Sequence, residues 1–179
     1  MQVADNHRIS VTLMESVYEA KRMADRGCPA IDIKEYLERS AYESSIYVSV
    51  NSLTYLKRSG RITASAAALA SVLKIKPVLT IQGEKLDLFT KARGMKQSEK
   101  KMIEAIEADI KTRFSEVDTN RIRIGTAGTF EKEEEAKRWL NLVQEAFPDM
   151  EVYYKPLSCS IASHVGIDAA GIGICVIGG

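Results

Sequence analysis

The chain has 179 residues, of which 45% are hydrophobic and 27% are charged, a composition typical of water-soluble globular proteins. Disordered, collagen-like and low-complexity classes are excluded. A chain of this length buries about 70% of its unfolded surface, so it can form a sizeable core without disulfide staples. The 25 basic and 24 acidic residues nearly balance and leave a net charge of +1. This balance argues against nucleic acid or an anionic membrane surface as a partner.

The three cysteines, Cys28, Cys159 and Cys175, are far apart and show no metal-ligand spacing. We therefore expect free thiols in a reducing cytosol and no metal site. The first ten residues lack the apolar segment of a signal peptide, and no apolar run approaches the ~20 residues that a membrane-spanning helix requires. The sequence predicts a cytoplasmic protein without membrane insertion.

Residues 10–26 and 29–43 predict two amphipathic helices that lead into the rest of the chain. In the first, apolar residues recur at steps of three and four, as Leu13, Met14, Val17, Ala20 and Ala24. The apolar stripe of such a helix usually faces a core. Residues 46–50 form a short β-branched and aromatic run, which predicts a strand.

From residue 74 onward, the pattern predicts the element order β-β-α-β-α-β-β. The first two strands, 74–81 and 85–93, form a hairpin with glycine at the turn. Pro77 has no amide hydrogen, so its strand should lie at an edge or be bulged there. Helices follow at 95–114 and 131–147, and strands at 121–125, 150–154 and 171–177. We expect an α/β (α+β) fold, a mixed β-sheet packed with helices and preceded by a helical lead-in.

His164 is the chief candidate for a functional side chain, because it lies in a loop of small residues where amides and hydroxyls can approach a bound oxygen. The alternative is a capped turn with a surface histidine. A Ser/His/Asp hydrolase is disfavoured because the sequence has no Gly-x-Ser-x-Gly elbow. Arg58, Arg61 and Arg93 are either solvated surface groups or planar forks for a carboxylate or phosphate.

Several motifs, taken in order, resemble the signatures of the DegV family. They are Asn51-Ser-Leu-Thr-Tyr-Leu-Lys-Arg-Ser-Gly-Arg-Ile62, Leu73-Lys-Ile-Lys-Pro-Val-Leu79, Lys91-Ala-Arg-Gly94, Ser163-His-Val-Gly166 and Gly171-Ile-Gly173. The resemblance implies a bacterial cytoplasmic protein that binds one long-chain fatty acid between two α/β domains. It also implies that the acyl carboxylate is presented to a separate fatty acid kinase. No other cofactor and no metal are expected.

The resemblance also assigns roles to particular residues. His164 is expected near the carboxylate, together with Ser163 and Gly166 of the same motif, while Arg61 and Arg93 are expected to contact the ligand or the kinase. An acyl tail needs an apolar tunnel, and suitable walls are offered by Leu69, Val72, Leu73, Ile75 and Val78. The closing motif departs from the family, since Gly166-Ile167-Asp168 stands where Gly-Pro-Gly is usual.

The resemblance places residues 1–50 at the end of an amino-terminal α/β domain and residues 51–179 in the carboxyl-terminal domain. We therefore expect a truncated arrangement in which most of the amino-terminal domain is missing. The leading hypothesis is a non-catalytic carrier for lipid transport. The alternatives are a small-molecule enzyme that uses His164, and an interaction domain that has lost ligand binding and forms a homo-oligomer.

Overall fold

The computed structural model describes residues 1–68, 75–81 and 85–178, which contain six strands and seven α-helices. In chain order the elements are α1 (Ser10–Asp25), α2 (Ala30–Arg39), β1 (Ser44–Ser49), α3 (Thr54–Arg58), α4 (Ala64–Ala67), β2 (Ile75–Ile81), β3 (Leu86–Arg93), α5 (Met95–Thr112), β4 (Ile122–Gly128), α6 (Glu133–Ala146), β5 (Val152–Pro156), α7 (Cys159–Val165) and β6 (Ala170–Val176), with a short 3-10 helix at Thr119–Arg121 before β4. No helix in these ranges is long and apolar enough to cross a membrane.

The six strands form one mixed sheet in the order β3-β2-β1-β6-β4-β5. The pair β4–β5 is parallel and the other neighbouring strands are antiparallel. The predicted mixed α/β fold is confirmed. Helix α7 was not expected, and β1 lies inside the sheet, paired with β2 and β6. The proposed domain boundary at residue 50 stays a prediction.

One side of the sheet, here called the closed face, is covered by α5 and α6. Side chains that alternate along the strands meet the apolar sides of both helices, and Met102, Ile106 and Trp139 are fully buried between them. The indole Nε1 of Trp139 donates a hydrogen bond of 3.0 Å to the carbonyl oxygen of Gly171. Each such buried side chain contributes about 1.5–3 kcal/mol to stability, so this face holds the main core.

The other side, here called the open face, is covered by α1, α3, α4 and α7. Helix α1 lies very close to the central strands, because a Cβ atom built on Gly173 or on Gly125 would come within 2.7 Å of Val11. The phenolic hydroxyl of Tyr153 donates to the carbonyl oxygen of Val11 at 3.4 Å. Glycines on the strands therefore set how near the helix can approach.

Helix α1 has the predicted amphipathic pattern, but it is turned the opposite way from the expectation. Thr12, Glu15 and Glu19 are buried against the sheet, while Leu13 and Val17 are 40% and 60% exposed. The buried polar groups find partners, because Arg22 donates to Glu19 at 2.5 Å and the Thr12 hydroxyl to a backbone carbonyl at 2.9 Å. Because α1 lies so close to the strands at Gly125 and Gly173, no room remains there for the larger apolar side chains of the helix.

The strand that contains Pro77 lies inside the sheet and not at its edge. The pairing of β2 with β1 runs from Thr80 to Val78 and stops before Pro77. On the other side, the register with β3 shifts between Val78 and Leu79. The expected bulge is confirmed, displaced by one residue from the proline, and the missing amide hydrogen leaves no broken bond in the β1 ladder.

Candidate functional site

An apolar cleft opens on the open face, between the start of α1, the middle of the sheet and α7. The empty space in it is about 530 Å³, counting the part that opens to solvent. The walls include Ile9, Ile46, Val48, Ile161 and Val165. Within the described part of the chain, Ser10 contributes the one polar side chain of this lining.

The alternation of large and small residues on neighbouring strands creates the cleft. Ile46 and Val48 point to the same face of β1 because side chains alternate along a strand. On β6 and β4 the lining includes Gly171 and Ala127, whose side chains are absent or small, so space remains above them. A Cβ atom on Gly171 would have no neighbour nearer than 3.6 Å. The cleft floor therefore consists of backbone and small side chains.

A polar pocket adjoins the cleft where α7 ends. Its volume is about 640 Å³, it includes the side chains of Asn51, Ser52, Thr54 and Arg58, and it shares Val165 with the apolar cleft. The Ser52 hydroxyl donates to the Thr54 hydroxyl at 3.0 Å. An apolar space and a pocket with hydroxyls and a guanidinium thus meet at one residue, an arrangement that suits a ligand with a tail and an anionic head.

His164 directly precedes Val165 in α7. Its Nδ1 atom is buried and has no hydrogen-bond partner among the described residues. Leaving a buried polar atom unpaired costs about 1–3 kcal/mol, so such an atom is an expected contact point for a water or a ligand. Among the side-chain nitrogen and oxygen atoms of the described residues, this Nδ1 is the one that is buried and lacks a partner.

The loop after α7 is held in a defined shape by Thr129. The Thr129 hydroxyl donates to the Gly166 carbonyl at 2.6 Å and accepts from the Ala169 amide at 2.9 Å. Gly166 has a φ of +77°, and a Cβ atom there would come within 2.7 Å of the Tyr55 ring. Asp168 also has a positive φ, of 55°. This loop therefore needs glycine at 166 and a hydroxyl at 129.

The family model that matches covers residues 1–176 and is described as an uncharacterised protein of the DegV family. The chain belongs to the DegV family. The expectation of a missing amino-terminal domain is not supported by this match.

Three known proteins illustrate the similarity. The DegV domain-containing protein CPE0026 of Clostridium perfringens is 32% identical over 158 residues, which cover 87% of this chain and 52% of that protein. A fatty-acid-binding DegV family protein from Thermus thermophilus has a TM-score of 0.80 and 25% identity, over 98% of this chain and 61% of that one. The fatty-acid-binding protein SAG1342 from Streptococcus agalactiae has a TM-score of 0.82 and 22% identity, over 99% and 60%. The chain spans about half the length of the curated relatives it matches.

The residues of the DegV motifs lie in different places. Arg61 is exposed in the turn between α3 and α4, where its carbonyl oxygen accepts from the Leu86 amide at 3.0 Å. Arg93 is exposed at the end of β3, and Ser163 is exposed on α7 with its hydroxyl bonded to the Ser160 carbonyl at 2.8 Å. Arg58 is the arginine that lines the polar pocket. The binding roles of His164, Ser163, Gly166, Arg61 and Arg93 stay predictions.

At least one of the expected acyl-tunnel residues lies away from the cleft, on the other side of the sheet. Val78 is fully buried on the closed face, in the cluster that contains Met102, because β2 turns alternate side chains to opposite sides. Ile75 is half-buried and is absent from the described lining of the cleft. The remaining three expected residues, Leu69, Val72 and Leu73, lie outside the described residues. The lining roles of the expected residues other than Val78 stay predictions.

Sequence reasoning missed two residues of this site. Thr129 directly follows β4, but its partners lie 37 and 40 residues further along the chain, so no local pattern pointed to them. Gly171 appeared as one residue of a glycine-rich strand. Its position opposite Val48 depends on pairing between β1 and β6.

The near-zero net charge conceals a strong separation of charge. Residues 51–101 contain eleven lysines and arginines against three acidic residues. The side chains of Lys57, Arg58, Arg61, Lys91 and Arg93 are all exposed. Exposed basic side chains therefore lie on α3, on the turn after it and on the outer strand β3, although the whole chain carries a charge of only +1. This local excess can attract an anionic ligand or an acidic partner surface.

Proposed function

We propose that this chain binds a long-chain fatty acid non-covalently, with the acyl tail in the apolar cleft and the carboxylate near the end of α7. The observation that carries the proposal is a shared wall residue: Val165 lines both the apolar cleft and the polar pocket, and it directly follows His164, whose Nδ1 has no partner among the described residues. The similar proteins from Thermus thermophilus and Streptococcus agalactiae, which are fatty-acid-binding, support the ligand class.

The apolar cleft can supply the energy for the tail. Each methylene moved from water to an apolar site contributes about 0.8 kcal/mol, so ten of them contribute about 8 kcal/mol. That energy corresponds to a dissociation constant of about 1 μM before the cost of ordering the chain is subtracted. A tail that fills the cleft therefore gives useful affinity without any specific polar contact.

The carboxylate requires donors and a compensating charge. We assign a hydrogen bond to the imidazole of His164, whose Nδ1 lacks a partner among the described residues, and charge compensation to Arg58 in the polar pocket. A hydrogen bond to a charged group contributes about 1.5–3 kcal/mol. Asp168 lies on the loop that follows and lines a neighbouring crevice, so its charge should oppose a carboxylate that moves towards it.

We further propose that the chain acts as a carrier with no chemical step of its own and presents the carboxylate to a fatty acid kinase. The exposed basic side chains, which include Arg61 and Arg93, support a partner with an acidic docking face. A cytoplasmic location is part of the proposal and fits the three free cysteines.

The first experiment is to purify the chain, extract it with organic solvent and identify bound lipid by mass spectrometry. The delipidated chain is then titrated with cis-parinaric acid, a fluorescent fatty acid. We expect saturable binding that weakens at least tenfold in Ile161→Glu, which places a charge in the cleft wall, and severalfold in His164→Ala. Ile31→Glu changes an exposed residue on α2 and should bind normally. Absence of extracted lipid together with absence of saturable binding overturns the proposal.

A second experiment separates binding from presentation. Arg61→Glu and Arg93→Glu should leave the affinity for cis-parinaric acid within twofold of the original, because neither side chain lines the described cleft. Phosphorylation of the bound fatty acid by a bacterial fatty acid kinase should fall at least tenfold. Unchanged phosphorylation in both variants overturns presentation through these side chains. Turnover of a substrate by the chain alone, lost in His164→Ala, would overturn the carrier role in favour of an enzyme.

A further inference from the structure

Asn51 lies at the boundary of the polar pocket, shortly after the end of β1. Val50 before it is 1% exposed and Leu53 after it is 6% exposed, so the backbone on both sides of this residue is anchored in the core. Asn51 lines the polar pocket and also a second crevice, which lies beside the amino ends of α5 and α6. It therefore stands between two polar spaces at one end of the sheet.

The side chain of Asn51 is held by Lys76. The register of β1 with β2 pairs Ser49 with Val78. Two residues further along, the same register brings Asn51 opposite Lys76. The ammonium group of Lys76 donates to the backbone carbonyl oxygen of Asn51 at 2.5 Å and to its Oδ1 atom at 2.7 Å. One ammonium group thus binds both acceptor groups of Asn51 and fixes the side chain against its own backbone.

This contact decides which end of the carboxamide is available to a ligand. An ammonium group only donates hydrogen bonds, so it binds the oxygen of a carboxamide and not the nitrogen. The Nδ2 group of Asn51 is therefore turned away from Lys76, and it has no hydrogen-bond partner among the described residues. Because a carboxamide nitrogen carries two hydrogens, two donors remain available beside the polar pocket.

The charges on the two sides of Asn51 differ in sign. The one charged side chain in the described lining of the polar pocket is that of Arg58. Lys76 adds a positive charge beside this pocket, and no carboxylate pairs with it in the part of the chain that the structure describes. The crevice on the other side has more acidic than basic residues, namely Glu99, Glu131, Glu135 and Asp168 against Lys132 and Arg138. An anionic head group is therefore attracted to the pocket and repelled by the crevice.

We infer that Asn51 is a specificity residue that donates from Nδ2 to the carboxylate of the fatty acid, and that Lys76 is its positioning residue. The inference rests on the proposed function, because it names a further donor in the same head-group pocket. Hydrogen bonds to an ionised group are about twice as strong as those to a neutral group. Asn51 therefore selects free fatty acids over neutral lipids with the same tail.

The affinities for cis-parinaric acid and for its methyl ester test the role of Asn51. At pH 8 the acid is ionised, whereas the ester carries the same tail without a charge. We expect Asn51→Ala to weaken binding of the acid at least fivefold and to leave binding of the ester within twofold. Asn51→Asp keeps an acceptor for Lys76 but replaces the donor with a negative oxygen, so it should weaken the acid at least tenfold. Asn141→Ala changes an exposed residue on α6 and should alter neither affinity.

A double-variant cycle tests the role of Lys76. Lys76→Met should weaken binding of the acid at least threefold. In the Asn51→Ala background the same change should add less than twofold, because Lys76 acts through the carboxamide. Lys111→Met removes the same charge from an exposed position on α5 and should leave both affinities unchanged. Binding of the ester serves as the test of folding for every variant.

The outcomes separate this inference from the proposed function. Absence of saturable binding of the acid by the unmodified chain overturns both. Saturable binding with an acid-to-ester ratio that is the same in Asn51→Ala and in the unmodified chain overturns the role of Asn51 and leaves the proposed function standing. Additive losses in the double variant overturn the positioning role of Lys76.

Discussion

The two faces of the sheet are built from different residues, although the same strands form both. The closed face buries Trp139, Met102 and Ile106 under two long helices. The open face carries α1 and three short helices, small residues and the apolar cleft. The sheet therefore separates the main core from the ligand space. Large side chains fill the closed face, whereas Gly171 and Ala127 leave a cleft on the open face.

The sequence of strand β6 produces this separation through alternating large and small residues. Ile172 and Ile174 point into the closed face, while Gly171 and Gly173 alternate with them on the open face. Because side chains alternate along a strand, the isoleucine side chains lie on one side of β6 and the glycines leave the other side without side chains. A change at any of these positions therefore affects one face much more than the other.

The largest effect is expected from emptying the closed face. Trp139→Ala removes a fully buried ring and the hydrogen bond to Gly171, so the free energy of unfolding should fall by about 3–5 kcal/mol. Ile161→Ala, in the wall of the open cleft, should cost less than about 1 kcal/mol, because that side chain is half-buried beside an existing space. Urea unfolding followed by circular dichroism measures both. Equal losses would contradict the separation of the two faces.

A second, smaller effect is expected at the edge of the closed face. Arg138→Met leaves Glu99, which is 2% exposed, without its two bonds of 3.0 and 2.6 Å. We expect a loss of about 2 kcal/mol, below the usual value for a buried pair because Arg138 is partly exposed. The hydrogen bonds to Glu99 also hold the pKa of Arg138 above its usual value. The double variant with Glu99→Leu should recover most of the loss by urea unfolding, and no recovery would refute the pairing argument.

The third prediction concerns the approach of α1 to the open face. Gly173→Ala forces a Cβ atom against Val11 at 2.7 Å and should cost about 1–2 kcal/mol. Gly171→Ala is the matched control on the same strand and face, because its nearest neighbour would be 3.6 Å away. Thermal unfolding should show a lower Tm for Gly173→Ala alone. If the two variants unfold alike, α1 is not held at this distance by glycine.

The smallest effect is a difference in thiol reactivity. Burial raises the pKa of the Cys175 thiol to about 12, so at pH 8 only ~1 in 10,000 of these groups is the reactive thiolate. Cys159 is exposed and should react with iodoacetamide within minutes, while Cys175 stays unlabelled until the chain unfolds. Mass spectrometry of labelled peptides measures both. Rapid labelling of Cys175 in the folded chain would show that α1 opens readily.

Much of the fold follows from local pattern. The spacing of Met102, Ile103 and Ile106 predicted α5, and Trp139 with Val143 predicted α6, because long helices beside a core keep a 3.6-residue period. The hairpin strands and the bulge near Pro77 also follow from backbone chemistry. Helix α7 was not predicted, since its short run of small residues has no apolar period.

The site was less predictable because it depends on pairing between distant segments. Val78 and Leu79 are neighbours in sequence, but they pack on opposite faces. The outward direction of Leu13 on α1 follows from Gly173, which lies far along the chain. The motif that contains His164 overlaps helix α7, which carries the cleft-wall residues Ile161 and Val165, and the binding role of His164 stays a prediction. Local patterns identify elements and motifs, whereas strand order decides which residues share a cavity.

The position of β6 has a consequence for how the chain is made. It is the sixth strand in sequence, yet it lies between β1 and β4 and joins the set β3-β2-β1 to the set β4-β5. Neither set has backbone bonds to the other in its absence, since β1 and β4 each pair with β6. The ribosome must therefore release the chain up to Val176 before the sheet can be completed, and until then two partial sheets with unpaired edges are exposed to chaperones and to aggregation.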